Sequence, residues 1–260
     1  GLQEVQFSLV SCRGCFGACA FCAITFHQGR QIAVRSQESL EREAQALVKM
    51  AGFKGYIHDV GGPSANFRIP SCAKQAEKGS CKDRQCLGDA PCPALKADHQ
   101  DYISLLRKLR AIPGIKKVFI RSGIRYDYVM LDPDRTFLKE LCEFHVSGQL
   151  KVAPEHVSPG VLRVMGKPGP ETFTRFLDRF SRIRKEAGLR NYVLPYFLSG
   201  HPGCTVEDMV LLAEFIQGSR LFTEQVQDFT PTPMSDATAM YVTGMDPRTM
   251  EPVHVPKGHE

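Results

Sequence analysis

The chain has 260 residues, of which 43% are hydrophobic, and a formal net charge of +5 from 33 basic against 28 acidic residues. That length and apolar content suffice for one sizeable core and permit a single α/β barrel domain. No run of about 18 apolar residues occurs, which argues against a membrane helix, and Gly1-Leu2-Gln3-Glu4 is not the basic-then-apolar start of a signal peptide.

The positive balance is mild and its Lys and Arg are spread along the chain, so a nucleic-acid surface is not indicated. Ten cysteines are many for this length. Eight of them fall into two tight groups, Cys12, Cys15, Cys19, Cys22 and Cys72, Cys81, Cys86, Cys92. A chain able to build a core has little need of disulfide staples, so metal ligation in a reducing, cytoplasmic setting is the better account.

In chain order, a first short apolar strand is predicted over 5–11. It runs into Cys12-Arg-Gly-Cys15-Phe-Gly-Ala-Cys19-Ala-Phe-Cys22. A helix over 37–50 follows Ser36, a plausible N-cap, and stops before Gly52. The second strand, 55–60, leads into Asp59-Val-Gly61-Gly62-Pro63, where glycines let backbone carbonyls approach a ligand. From about 63 to 98 the pattern breaks: apolar periodicity is poor and four cysteines accumulate, which marks a functional or metal-ordered insertion. A helix over 102–112 carries Ile103, Leu106 and Leu109 on one face.

The third strand, 117–122, precedes Arg121-Ser122-Gly-Ile-Arg125-Tyr126-Asp127, where Arg125 could hold a carboxylate or phosphate in fork geometry. A helix over 133–145 is expected with Asp132 as its cap and proline at its first position. The fourth strand, 150–153, ends in Ala153-Pro-Glu155-His156, and His156 is either a proton donor or acceptor or a packing residue. A helix over 171–187 places Phe173, Phe176, Leu177 and Phe180 on one face. The fifth strand, 192–198, turns through Ser199-Gly-His201-Pro-Gly203-Cys-Thr205 into a helix over 206–217 capped by Thr205. The sixth, 225–229, ends at Phe229-Thr-Pro231-Thr-Pro233-Met234. Six such units imply a parallel sheet with right-handed crossovers, as an open doubly wound sheet or an incomplete barrel. Residues 1–251 read as one core domain. Residues 252–260 read as a tail without packing signal, and the whole as a piece of a longer protein.

Three thiolates on a short glycine-containing loop at a strand's C-terminal end can hold three irons of a cubane and leave the fourth open. Zinc ribbons and ferredoxin runs have other spacings. Cys12 lies outside the triplet and reads as a buried strand-end cysteine.

The spacing Cys15-x3-Cys19-x2-Cys22, with Phe21 before the last cysteine, resembles the radical S-adenosylmethionine (SAM) superfamily. That resemblance implies a [4Fe–4S] cluster on Cys15, Cys19 and Cys22, and SAM on the open iron. It implies reductive cleavage of SAM to a 5′-deoxyadenosyl radical, and a reductant such as flavodoxin or ferredoxin. Gly61-Gly62 resembles the Gly-Gly-Glu segment for the SAM amino group, with Pro63 in place of the acid. Glu155 and the segment 161–167 resemble methylthiotransferase-like members, as does the His201–Thr205 turn beneath the adenine. The phrases Arg13-Gly-Cys-Phe-Gly, Gly55-Tyr-Ile-His-Asp-Val-Gly-Gly-Pro-Ser-Ala-Asn66, Ser122-Gly-Ile-Arg-Tyr-Asp127 and Val152-Ala-Pro-Glu-His-Val-Ser158 are similar to the YgiQ-type family, whose reaction is not established. The resemblance implies a partial (β/α)6 TIM-like barrel with a cysteine-rich insertion after strand two. Its cofactor-binding candidates are Gly61, Gly62, Ser122, Arg125, Glu155 and His201, and it names no catalytic side chain. The second group, Cys72-x8-Cys81-x4-Cys86-x5-Cys92, could close a zinc site or hold an auxiliary Fe–S cluster. An auxiliary cluster would suit a methylthiotransferase-like reaction. Disulfides, unligated thiols and a non-catalytic metal-binding protein are the other readings.

Overall fold

A computed structural model of the chain describes residues 5–219, 221 and 225–257. The expected first strand is split by Ser11 into β1 (Ser8–Val10) and β2 (Cys12–Arg13). β1 pairs in parallel with β5 (Asp59–Gly61), Ser8 opposite Asp59 and Val10 opposite Gly61. β4 (Tyr56–Ile57), just before β5 on the same stretch, pairs in parallel with β6 (Lys117–Val118). The pairing continues where Val60 N donates to Phe119 O at 3.1 Å. A parallel bridge from Ile124 to Val152 joins the chain beyond β6 to β7 (Gln149–Glu155). β7 pairs with β8 (Tyr192–Ser199) and β8 with β9 (Gln225–Asp228), again in parallel. Strand order therefore follows chain order. A doubly wound sheet reverses its order partway, whereas a singly wound array does not.

The helices form where apolar spacing and caps agree. The first, α1 (Ile24–Gln28), lies inside the cysteine loop, which the short strand β3 (Ala33–Val34) closes. In α2 (Gln37–Val48), Ser36 Oγ accepts from Ser39 N at 3.2 Å, and Leu40, Ala44 and Leu47 are buried at helical spacing. α3 (Ala73–Lys78) is the only helix or strand within the insertion, between β5 and α4 (Gln100–Ala111). Further on, α7 (Pro159–Met165) and α8 (Pro170–Glu186) both begin on proline, and α8 buries Phe173, Phe176 and Phe180. Thr205 opens α9 (Val206–Ser219) with a reciprocal box: its Oγ1 accepts from Asp208 N while Asp208 Oδ2 accepts from Thr205 N. The last helix is α10 (Asp236–Thr243).

One expected helix is wrong. Residues 133–145 are not a single helix capped by Asp132. Helix α5 (Tyr126–Leu131) ends at Asp132, α6 (Thr136–Glu140) starts after Asp134, and one π turn covers Leu141–His145. Asp132 Oδ1 does accept from Asp134 N at 2.9 Å, but this closes only a turn, and Oδ2 lies 2.5 Å from buried His99 Nδ1. Asp134 Oδ1 accepts from Thr136 N instead, at 2.9 Å. The segment after Pro252 is also packed: Met245 pairs with Pro252, and Gly203 N donates to His254 O at 2.7 Å. The main core joins β1, β5, β7 and the inner faces of α2, α4 and α8. A smaller one, with Phe16, Phe67, Leu87 and Tyr128, lies against the cysteine loop. Among the described residues no helix is long and apolar enough to cross a membrane.

Candidate functional site

β2 and β3 close the cysteine loop at its base, Cys12 opposite Val34 and Arg13 opposite Ala33. Cys15 N donates to Gly29 O at 3.0 Å and Gly14 N to Gln28 Oε1 at 3.2 Å. Gly14 has φ +85°, and a Cβ there would lie 2.1 Å from the Gln31 carbonyl oxygen, so glycine is required. Inside the loop the backbone is tied to distant elements. Ala18 O accepts from Gln85 Nε2 at 2.5 Å. Ala20 donates to Met165 O and accepts from Ala237 N, each at 2.9 Å. Phe21 O accepts from Thr232 Oγ1 at 3.4 Å. A loop bonded in this way presents its side chains in a fixed arrangement.

Cys15, Cys19 and Cys22 are free and half-buried. Burial pushes the Cys15 thiol up and the Cys22 thiol to about 11, and the neighbouring cysteines of the triplet push the same way. The three sulfurs are thus within electrostatic reach of one another. Yet no three His, Cys, Asp or Glu side chains among the described residues converge closely enough to hold one metal ion. Three thiols on one short loop can give one thiolate to each of three irons of a cubane, and the donor set fits that group by its chemistry.

Arg125 is buried beside this loop. Its Nη1 donates to Cys19 Sγ at 3.3 Å, while Nε and Nη2 bind the two oxygens of Asp127 at 2.9 and 2.5 Å. The fork is therefore filled by the chain's own carboxylate, and Arg125 faces the Cys19 sulfur where the sequence suggested a bound carboxylate. Burial opposes ionisation of Asp127, but the charge and hydrogen bonds of Arg125 outweigh it and hold the carboxyl below its usual range. A Cβ on Gly17 would lie 2.2 Å from Arg125 Nη1, which explains that glycine. Asn66 fixes the Arg125 backbone on both sides, accepting from its N at 2.8 Å and donating to its O at 3.2 Å. Asn66 in turn meets His99 Nε2 at 3.0 Å, so the chain of contacts runs from Asp132 through His99 to Arg125.

Glu155 ends β7 at φ +71°, rare for a residue with a side chain, and a register shift between Val152 and Glu155 accompanies it. Its carboxylate lies 3.9 Å from buried Lys167 Nζ, which also donates to Ala153 O at 2.6 Å. Burial raises the Glu155 carboxyl, with Lys167 and Arg125 opposing, and its charge is felt at Cys22. The structure thus brings Arg125 and Glu155 to the cysteine triplet.

The remaining candidates are engaged inside the chain. A Cβ at Gly61 would lie 2.1 Å from Ser122 Oγ, and one at Gly62 would lie 2.4 Å from Cys12 Sγ. Ser122 Oγ donates to Asp59, which also accepts from Arg121 N and Ser122 N at 2.8 and 3.1 Å. The glycines hence permit close packing of strand ends. His156 Nδ1 accepts from Ser158 N at 3.0 Å, and burial lowers its pKa to about 4, so it is a neutral packing residue at pH 7. His201 is likewise buried and lowered to about 4; its Nδ1 meets Pro202 O at 2.7 Å and its ring packs edge-on against Phe21 and Phe229. It reaches the loop through Phe21. Sequence reasoning gave Asp127, Asn66 and Lys167 no role, although each lies in a segment it had singled out.

A cleft of about 810 Å³, within the range of small-molecule sites, opens at Cys19 and Ala18 and continues along Arg84, Gly88, Arg163 and Arg248. Gly61, Gly62, Ser122, Arg125, Glu155 and His201 are not in its walls. Cys72, Cys86 and Cys92 lie close to one another on the insertion, and Cys81 sits by Lys74.

Comparison with known proteins matches residues 9–216 to the radical SAM superfamily and residues 224–260 to a domain of unknown function, DUF3362. A UPF0313 protein of Clostridium perfringens (strain 13 / Type A) is 55% identical over 259 residues, 100% of this chain and 39% of that protein. A UPF0313 protein of Clostridium botulinum (strain 657 / Type Ba4) is 52% identical over 256 residues, 98% of this chain and 40% of that protein. The chain thus spans about two-fifths of the length of these relatives. The structure of TsrM, described as a radical SAM methyltransferase, from Kitasatospora setae with cobalamin and a [4Fe–4S] cluster bound, superposes with a TM-score of 0.57 at 15% identity. It covers 90% of this chain and 38% of that one. The same enzyme with tryptophan and a SAM analogue gives 0.55 at 16% identity over 90% of this chain and 37% of that one. These likenesses extend to the fold alone. The family match runs from β1 into α9, and on that ground the chain belongs to the radical SAM superfamily, with UPF0313 proteins, a label consistent with the YgiQ type, as its relatives.

Proposed function

We propose that the chain is a radical SAM enzyme whose Cys15, Cys19 and Cys22 hold a [4Fe–4S] cluster and whose substrate is reached through the cleft at Cys19. When bound, the cluster supplies an electron that cleaves SAM to methionine and a 5′-deoxyadenosyl radical. The observation that carries this reading is the pre-formed loop, hydrogen-bonded to three distant segments of the chain, with a buried guanidinium on one of its thiols.

The chain's own residues then have distinct tasks. Arg125, held by Asp127 and Asn66, donates to the Cys19 sulfur and offsets negative charge there. Glu155, forced into its left-handed conformation at the end of β7, presents a carboxylate beside Lys167 and near Cys22. In that position it can accept hydrogen bonds from a bound cosubstrate's amino or hydroxyl groups. Gly61 and Gly62 keep strand ends close under the loop. A soluble reductant such as flavodoxin or ferredoxin would supply the electron.

Anaerobic reconstitution tests this. Iron-loaded chain plus SAM and dithionite is expected to yield 5′-deoxyadenosine and methionine, read by chromatography with mass detection. A Cys19→Ala variant is expected to yield neither. A fully loaded cluster that binds SAM spectroscopically and still leaves it intact would sink the enzyme reading.

A further inference from the structure

We propose that Cys72, Cys81, Cys86 and Cys92 hold a second iron–sulfur cluster, ligated by four thiolates and packed next to the Cys15–Cys19–Cys22 loop. The first observation is an ordered lobe without a core of its own. Between residues 72 and 95 the chain forms one helix, Ala73–Lys78, and Leu87 is the one large apolar side chain buried there. Turns and bends make up the rest. A segment that buries so little needs another source of order, and a cluster bonded to cysteines spread along it supplies one.

The second observation is where the thiols lie. Cys72 and Cys86 share the hydroxyl of Ser71, at 4.0 and 3.3 Å. Cys92 N donates to Cys86 O at 3.1 Å, and the Cys86 sulfur is within electrostatic reach of both Cys72 and Cys92. Arg30 ties Cys81 to the same segment, its Nη1 donating to the Cys81 carbonyl oxygen at 2.8 Å and its Nη2 to that of Arg84. Cations face the sulfurs: Lys74 Nζ lies 3.3 Å from Cys81 Sγ and Arg84 Nη1 lies 3.9 Å from Cys92 Sγ. Four thiolates carry net negative charge on any metal core, and these are the groups that would offset it.

The choice of a multi-iron cluster over zinc follows from place, because the two cysteine-bearing segments are in contact. Gln85, beside Cys86, donates to Ala18 O between Cys15 and Cys19, and Cys15 and Cys86 pack against the same aromatic core, where Phe16 stacks on Phe67 at 3.8 Å. A second cluster here would sit beside the first.

The test is iron counting and Mössbauer spectroscopy on the anaerobically reconstituted chain. The expectation is about eight irons in the wild type and about four in a Cys15→Ala, Cys19→Ala, Cys22→Ala variant, whose iron shows full cysteine ligation. SAM should perturb only part of the wild-type iron and none in that variant. A wild type that saturates at about four irons, all in one SAM-responsive cluster, overturns the proposal without requiring any variant to fold. A triple variant with native circular dichroism that binds no iron, or one zinc, overturns it as well. The count is independent of SAM cleavage, so the proposal stands or falls apart from the enzymatic reading.

Discussion

Arg125 is a buried cation whose donors are spent on Asp127 and on the sulfur of Cys19. A guanidinium next to a ligating thiolate stabilises the more negative, reduced cluster. Arg125→Gln is therefore expected to make the cluster's midpoint potential more negative by on the order of tens of millivolts, since a charge-assisted hydrogen bond is worth only ~1.5–3 kcal/mol in total. An EPR-monitored redox titration reads the shift, and an unchanged potential would remove Arg125 from this role. Glu155 gives the complementary case. Its φ of +71° costs about 1–2 kcal/mol for a residue with a Cβ. Glu155→Gly relieves that strain and removes the carboxylate beside Lys167. Its melting temperature is expected to hold or rise while 5′-deoxyadenosine yield drops; full yield would show that the strain serves no chemistry.

At the scale of elements, two segments decide how the site is held. The cysteine loop depends on Gly14, where any side chain meets the Gln31 carbonyl. Gly14→Ala should lower bound iron sharply while far-ultraviolet circular dichroism stays native, since β2 and β3 lie outside the main core. The break between α5 and α6 depends on Asp132. Removing its carboxylate leaves His99 Nδ1 buried without its partner, at a cost of ~1–3 kcal/mol. Asp132→Ala should lower the melting temperature by several degrees, more than Asp134→Ala, although Asp134 accepts from the first amide of α6, Thr136 N. Equal losses would mean that Asp132 acts only locally. This is also where sequence reading misplaced a cap. Asp132 followed by Pro133 has the local form of a helix start, but one oxygen of its side chain is held by a histidine 33 residues away and the other closes only a turn onto Asp134 N.

For the molecule as a whole, three buried histidines lower stability as pH falls, and the raised carboxyl of Glu155 opposes them. His145, His156 and His201 are each lowered from 6.5 to about 4, chiefly by burial. In the unfolded chain they take up protons as pH falls through 6.5, while the folded chain resists until about 4. Between those values the unfolded state binds more protons, so stability decreases with falling pH by up to ~1.4 kcal/mol per unit for each histidine. Asp127 adds to the loss only below its ordinary carboxyl range, because its folded pKa is depressed. Denaturant melts between pH 7.5 and 5 should show this slope, and His201→Phe should reduce it by roughly a third. A flat profile would contradict the burial of all three.

Much of the site could be read from local pattern. The spacing of Cys15, Cys19 and Cys22 singled out the loop, since cluster ligation from one short segment is a local property of chain geometry. The alternation of short apolar strands with capped, one-faced helices gave the six parallel strand positions to within a few residues, because burial on one face imposes its period on the sequence. Tertiary structure decided the rest. It chose sequential strand order, which periodicity cannot encode. It turned Arg125 from a ligand's partner into a partner of Asp127 and Cys19, and it gave Gly61, Gly62, His156 and His201 packing tasks. It also set Cys86 beside the Cys15–Cys22 loop through Gln85 and Ala18, 67 residues apart in the chain. Contacts of that kind arise only when distant segments compete for the same buried space and the same hydrogen bonds, and no local window of sequence holds both partners.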